Sequence, residues 1–180
     1  MLRALRKDPY GAGVADLINR GHLRGAENYD GILSSCKKGP SRSDPHGSMV
    51  PAAYMALTHA TELQSRGITH LGFEFGKETD PWDLDVYTRD ASGDIDYGYQ
   101  LKDVNSINKI KDRASSAAKQ LQYEPMRHGV AILDVHQPIS RLTSKVFAVA
   151  EREARKSGAT FLLRFEDGAI TIPPNGSIFP

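Results

Sequence analysis

Trp82-Asp83-Leu84-Asp85-Val86 and Gln100-Leu101-Lys102 are the two stretches on which the reading of this chain turns. Leu84 and Val86 alternate with Asp83 and Asp85. Further on, Ile95, Tyr97, Tyr99 and Leu101 alternate with Asp94, Asp96, Gly98, Gln100 and Lys102. This two-residue period is that of strands with one face in a core. Between them, Asp90-Ala91-Ser92-Gly93-Asp94 contains a Ser-Gly pair suited to a tight hairpin turn. With Ser92 and Gly93 as its central residues, Ala91 pairs with Asp94, Asp85 lies opposite Gln100, and Asp83 lies opposite Lys102. Val86 and Leu84 then meet Tyr99 and Leu101 on the other face. Two carboxylates, an amide oxygen and an ammonium share one patch of sheet, although aspartate is disfavoured in strands.

Hard divalent cations such as magnesium take oxygen ligands and keep several waters. Asp85 and Gln100 can supply such oxygens, and a cation held there polarises a phosphodiester and acidifies a bound water. Lys102 is placed to orient that water or to neutralise charge developing on the phosphorus. An Asp-x-Asp pair on a strand is also what an inert solvated face looks like, so the chemistry rests on the facing Gln and Lys.

These residues resemble the core motif of the PD-(D/E)xK, or restriction-endonuclease-like, nuclease superfamily. Trp82 to Val86 resembles its first catalytic strand, with Asp85 as the acid, and Gln100-Leu101-Lys102 resembles the second half-motif in a QxK form. The resemblance implies an α/β fold with an αβββαβ core, a mixed central sheet flanked by helices, and a metal-dependent endonuclease. It implies Asp85, Gln100, Lys102 and a preceding helical glutamate, Glu62, as catalytic residues, with Asp85, Gln100 and Glu62 on the metal. Magnesium is the expected ion, with manganese or zinc as substitutes. Gln100 departs from the commoner Glu and removes a negative charge, which Asp83 or Glu62 has to restore. Glu27 and Glu74 compete with Glu62 for the helical position.

Small nucleases of this arrangement also resemble the C-terminal toxin domains of contact-dependent growth inhibition systems. That likeness implies a tRNA or DNA substrate, with tRNA favoured, and a cognate immunity protein. It also implies action in a bacterial cytoplasm after delivery as the C-terminal part of a larger secreted protein. Two other readings remain open: a non-catalytic domain of the same fold that binds nucleic acid or protein, and a metal-independent ribonuclease using histidine.

The chain has 180 residues, 39% of them hydrophobic, enough for one domain with a core. With 23 basic and 22 acidic residues, it offers no global attraction to nucleic acid, so contacts must come from local clusters. Cys36 is the lone cysteine, which excludes a disulfide framework and a cysteine-based zinc site. No apolar run is long enough to cross a membrane, and the basic start lacks the apolar stretch of a secretory signal.

Residues 1–48 read as a helical lead-in, with helices over 12–23 and 26–36 and then a polar, mobile loop. Residues 49–180 read as the catalytic core. Ser48 and Pro51 open a helix over 50–66 that Gly67 stops. Strands follow over 69–76, 82–90 and 95–104, then a helix over 107–123 capped by Asn105 or Ser106. A doubly buried strand over 129–135, a helix over 141–156 and a hairpin over 160–165 and 169–172 complete the order.

Lys109, Lys111, Arg113 and Lys119 on the helix after QxK are the candidate nucleic-acid contacts. His59, His70, His128 and His136 read as surface or strand-end residues, His59 being the best general base because Glu62 adjoins it. Tyr97 and Tyr99 read as core, Tyr87 and Trp82 as possible base-stacking residues, and Cys36 as inert.

Overall fold

A computed structural model describes residues 5–37, 48–75, 84–122 and 126–180, with the side chains of Glu74 and Phe75 excepted. Trp82, Asp83, the loop 38–47 and the predicted helix end at Tyr123 lie outside the described residues, as does the Glu74 side chain. The protein is mixed α/β, and the chain divides into two compact units, Met1–Glu74 and Phe75–Pro180.

The first unit contains α1 (Gly11–Arg20), α2 (Tyr29–Ser35), α3 (Val50–Ser65) and β1 (Leu71–Phe75). Helix α1 stops three residues before the predicted end because Gly21 adopts φ 69° and closes it. Helix α3 has Pro51 in its first turn, and Ser48 Oγ accepts from Val50 N at 3.3 Å, although Met49 is the capping residue. Val14 and Leu17 from α1 and Val50, Leu57, Ala60 and Leu63 from α3 are buried. Gln64 Nε2 donates to the carbonyl of His22 at 3.1 Å, tying α3 to the turn after α1. His59, expected near the surface, is instead 1% exposed on the apolar side of α3. The reason is its helical spacing from Ala56, Ala60 and Leu63, which puts it on the stripe that faces the core.

The second unit carries β2 (Leu84–Arg89), β3 (Ile95–Val104), α4 (Ile110–Leu121), β4 (Met126–Val135), α5 (Ser144–Ser157), β5 (Thr160–Phe165) and β6 (Gly168–Ile172). Short 3-10 turns, Ile107–Lys109 and Ile139–Arg141, precede α4 and α5. Within this unit the strands run in the order β2-β3-β4-β5-β6. The β2–β3 and β5–β6 pairs are antiparallel hairpins. The β3–β4 and β4–β5 pairs are parallel, which is why each needs a crossover helix between its strands.

Both crossover helices lie on one face. Ile110, Ala114, Ala117 and Leu121 of α4 share one core with Val146, Ala150 and Ala154 of α5 and with Ala131, Leu133, Phe161 and Leu163 of the sheet. The small alanines let the helices sit close to the strands, so the apolar volume comes mainly from the sheet. On the opposite face Tyr97 and Tyr99 stack at 6.1 Å. Their hydroxyls donate to Ser177 Oγ and to the Ile178 carbonyl, at 3.0 and 3.2 Å, so the C-terminal segment crosses that face.

The β2–β3 turn differs from the expected one. Asp90 N donates to the carbonyl of Asp94 and Gly93 N to that of Asp90, at 2.9 and 3.0 Å. Ala91, Ser92 and Gly93 therefore form a three-residue loop, and Ala91 does not pair with Asp94. Asp90 Oδ1 accepts from Ser92 N and Asp94 N, and Gly93 supplies the positive φ of 87° that the loop requires. The slip is cancelled a few residues on. The register shifts between Tyr87 and Arg89, so that Val86 faces Tyr99, the pairing the sequence predicts.

Candidate functional site

Continuing that register by one residue brings Asp85 toward Gln100, but the ladder changes character there. Leu101 N donates to the Asp85 carboxylate, Oδ2, at 2.7 Å. The alternation of β2 also breaks at this point. Leu84 belongs to the helix-side core together with Tyr87, and a Cβ on Gly98, the partner of Tyr87, would meet Leu84 Cδ1 at 2.9 Å. Leu84 therefore does not meet Leu101 on the opposite face, as regular alternation requires. A side chain that takes an amide N–H at a strand edge stops the backbones from pairing regularly. The carboxylate is thereby fixed against the β3 backbone.

Gln100 and Lys102 lie two apart on β3, beside Ala131 and Leu133 of β4, and so share the face that α4 and α5 cover. Gln100 is fully buried, and its Oε1 accepts from Lys102 Nζ at 2.8 Å. The amide can point only this way, because a reversed amide would set its NH2 against an ammonium. Gln100 Nε2 is then a buried donor with no partner among the described residues. Such a donor costs about 1–3 kcal/mol unless an acceptor reaches it.

The structure thus sets the Asp85 carboxylate against the Leu101 backbone amide and ties Lys102 to Gln100 on the same stretch of β3. Glu62 belongs to the first unit, where it pairs with Arg66 at 3.1 Å and approaches His59 Nδ1 at 3.9 Å. Glu27 belongs there too, and its backbone bridges to Gly72. Among the described residues, no group of three or more His, Cys, Asp or Glu side chains is placed to hold a metal. Of the expected ligands, the Asp85 carboxylate accepts from Leu101 N, and the amide oxygen of the wholly buried Gln100 accepts from Lys102 Nζ. This all-oxygen set fits magnesium or manganese held through one carboxylate and completed by water and substrate, and it lacks the nitrogen or sulfur donors zinc prefers.

Other expected residues divide. Lys109, in the turn before α4, and Arg113 and Lys119 on α4 are exposed, Lys111 is half-buried, and Lys109 approaches Asp112 at 3.8 Å. Tyr97 and Tyr99 are core residues, as expected. Tyr87, expected as a stacking residue, is 3% exposed and packs in the helix-side core, with the Arg89 guanidinium 5.1 Å from its ring centroid. Ser106 is the N-cap residue of the turn that follows β3, but its side chain makes no capping hydrogen bond, and neither does that of Asn105. Gln137 Oε1 takes Ile107 N at 2.9 Å, and Asn105 donates instead to Asp103 Oδ2 at 3.2 Å. The loop after β4 lies close enough to supply that cap because β3 and β4 run parallel and end together.

One constellation was not anticipated. His136 Nε2 lies 2.5 Å from Asp103 Oδ1, and on the neighbouring strands Arg164 makes a two-pronged contact with Asp134 at 2.5 and 2.9 Å. A signal was present in the sequence, since Lys102-Asp103-Val104 and Leu133-Asp134-Val135 both close strands with Asp-Val. Parallel pairing sets Asp103 beside Asp134.

No helix among the described residues is long and apolar enough to cross a membrane. Compared with protein-family models and with curated proteins, the chain matches none.

Proposed function

We propose that the protein is a metal-dependent endonuclease, with Asp85 holding the cation, Gln100 assisting through its amide oxygen and Lys102 acting on the phosphate. The observation that carries this reading is the hairpin geometry: Asp85 of β2 is pinned by the Leu101 amide of β3, and Lys102 is pinned by Gln100 on that same strand. Two groups of opposite charge are held by separate hydrogen bonds, so neither depends on the substrate for its position.

A bound cation supplies Lewis-acid polarisation and an acidified water. The chain's own residues do the rest. Lys102 places positive charge where the phosphorane becomes more negative, and Gln100 fixes that ammonium in one rotamer. The exposed cations Lys109, just before α4, and Arg113 and Lys119 on it, with Lys111 beside them, give the nucleic acid a local attraction that a net charge of +1 does not provide.

The substrate class in this proposal is tRNA ahead of DNA. The biological setting is an interbacterial growth-inhibition toxin that acts in the target cytoplasm and is neutralised by an immunity protein. Total tRNA and supercoiled plasmid, each incubated with magnesium, test the chemistry. Wild type cuts at least one in a reaction that magnesium accelerates, chelator removes that magnesium-dependent part, and Asp85→Ala and Lys102→Ala lack it. A wild-type protein inert on both substrates, or variants as active as wild type, overturns the proposal. The inert outcome leaves a binding domain of the same fold as the reading.

A further inference from the structure

Asp103 and His136 stand on the last residues of β3 and just beyond β4, at the C-terminal ends of two paired parallel strands. This is where open α/β sheets bind ligands. Asp103 lies in register with Asp134, on the face opposite Lys102. Its two carboxylate oxygens are both engaged, Oδ1 with His136 Nε2 at 2.5 Å and Oδ2 with Asn105 Nδ2 at 3.2 Å. An ionised carboxylate only accepts, so the neutral imidazole carries its proton on Nε2, and in that form Nδ1 has the lone pair.

The loops that present the dyad are tied together. His136 N donates to the Val104 carbonyl at 3.0 Å, and Gln137 Oε1 accepts from Ile107 N at 2.9 Å. The His136 side chain is nevertheless 44% exposed. A histidine whose tautomer is set by a carboxylate, itself held by a third side chain, is the arrangement of a general base. Asp103, Asn105 and His136 include no nucleophile of their own, so the hydroxyl to be activated must arrive with the substrate. Lys109 and Arg141, both exposed, lie on the two turns that follow β3 and β4 and favour an anionic chain.

We propose that Asp103 and His136 form a second, metal-independent site that cleaves RNA by transesterification, with His136 Nδ1 as the base for a ribose 2′-hydroxyl. The 2′-hydroxyl proton passes to Nδ1, the O2′–P bond forms and the P–O5′ bond breaks. The departing O5′ takes a proton from water, and His136 returns its own to solvent. The products are a 2′,3′-cyclic phosphate and a 5′-hydroxyl. His136 is the catalytic residue and Asp103 the positioning residue. The inference goes beyond the Asp85 reading and does not depend on it.

The test uses the full chain, a single-stranded RNA and the DNA of the same sequence, in excess chelator. RNA is cut to cyclic-phosphate ends and DNA, which lacks the 2′-hydroxyl, is not. His136→Ala, with an unchanged circular dichroism spectrum, loses roughly 10²–10⁴-fold in rate. Asp103→Asn lowers kcat without raising KM, and nitrogen-15 spectra show His136 leaving the single Nε2–H tautomer. No RNA cleavage in chelator, equal cleavage of DNA, or a His136→Ala protein as fast as wild type overturns the inference. Magnesium-dependent cleavage of the DNA reads the Asp85 site separately, so either site can fail without the other.

Discussion

Replacing Asp85 separates two roles that one carboxylate plays. In Asp85→Ala the Leu101 amide loses its acceptor, and Leu101 is only 8% exposed, so water replaces that acceptor poorly. An amide left without its partner in such a place costs about 1–3 kcal/mol. For a chain of this size each kcal/mol moves the melting temperature by about 2–4 °C, so Asp85→Ala should melt roughly 2–12 °C lower. Asp85→Asn keeps a side-chain carbonyl for Leu101 but loses the negative charge. It should fall less than Asp85→Ala, because the Leu101 amide keeps an oxygen acceptor. Both variants should be inactive in the magnesium-dependent assay. Differential scanning fluorimetry and plasmid nicking on the same samples read the two effects together. An Asp85→Ala protein that melts with wild type refutes the carboxylate's part in the strand ladder. An Asp85→Asn protein that still cuts refutes its part in the chemistry.

Other outcomes follow from single contacts. Gly98→Ala places a Cβ 2.4 Å from Met126 Sδ and 2.9 Å from Leu84, and the overpacking should cost about 1–3 kcal/mol in urea unfolding. Thr143→Ala removes the side chain that accepts from Val146 N at the start of α5 and should cost about 1 kcal/mol by the same measurement. Arg164→Ala leaves the Asp134 carboxylate, 26% exposed, without its two-pronged partner. The partial exposure limits the loss to about 1–2 kcal/mol, and Asp134→Asn in that background should recover part of it. Tyr99→Phe removes the hydroxyl that holds the Ile178 carbonyl, so hydrogen exchange near Ile178 should quicken while the core strands keep their protection.

The strands were legible because their patterns are strong. The apolar run ending at Val135 and the alternation through Tyr97, Tyr99 and Leu101 both lie within observed strands, and the pairing of Val86 with Tyr99 follows from counting along the hairpin. That count succeeded although the turn was wrong, because the three-residue loop and the shift between Tyr87 and Arg89 displace the register in opposite senses. Alternation misplaced Leu84, since nothing in Asp83-Leu84-Asp85 signals that a side chain will enter the ladder. Tyr87 and His59 were misjudged for a common reason: a polar atom on a large ring does not keep the ring in water when its neighbours in the repeat are core. The Asp103–His136 pair escaped because its partners are 33 residues apart and meet only once the parallel register of β3 and β4 is known. The α4 cap was missed for the same reason, Gln137 being 30 residues from Ile107.

Anomalous diffraction from crystals soaked in manganese tests the central claim most directly. The account predicts a peak about 2.0–2.2 Å from an Asp85 carboxylate oxygen, a bond length close to that of magnesium, which disappears in Asp85→Asn crystals. A peak elsewhere in the protein with none at Asp85, in crystals of a protein whose cleavage requires the same ion, would contradict it.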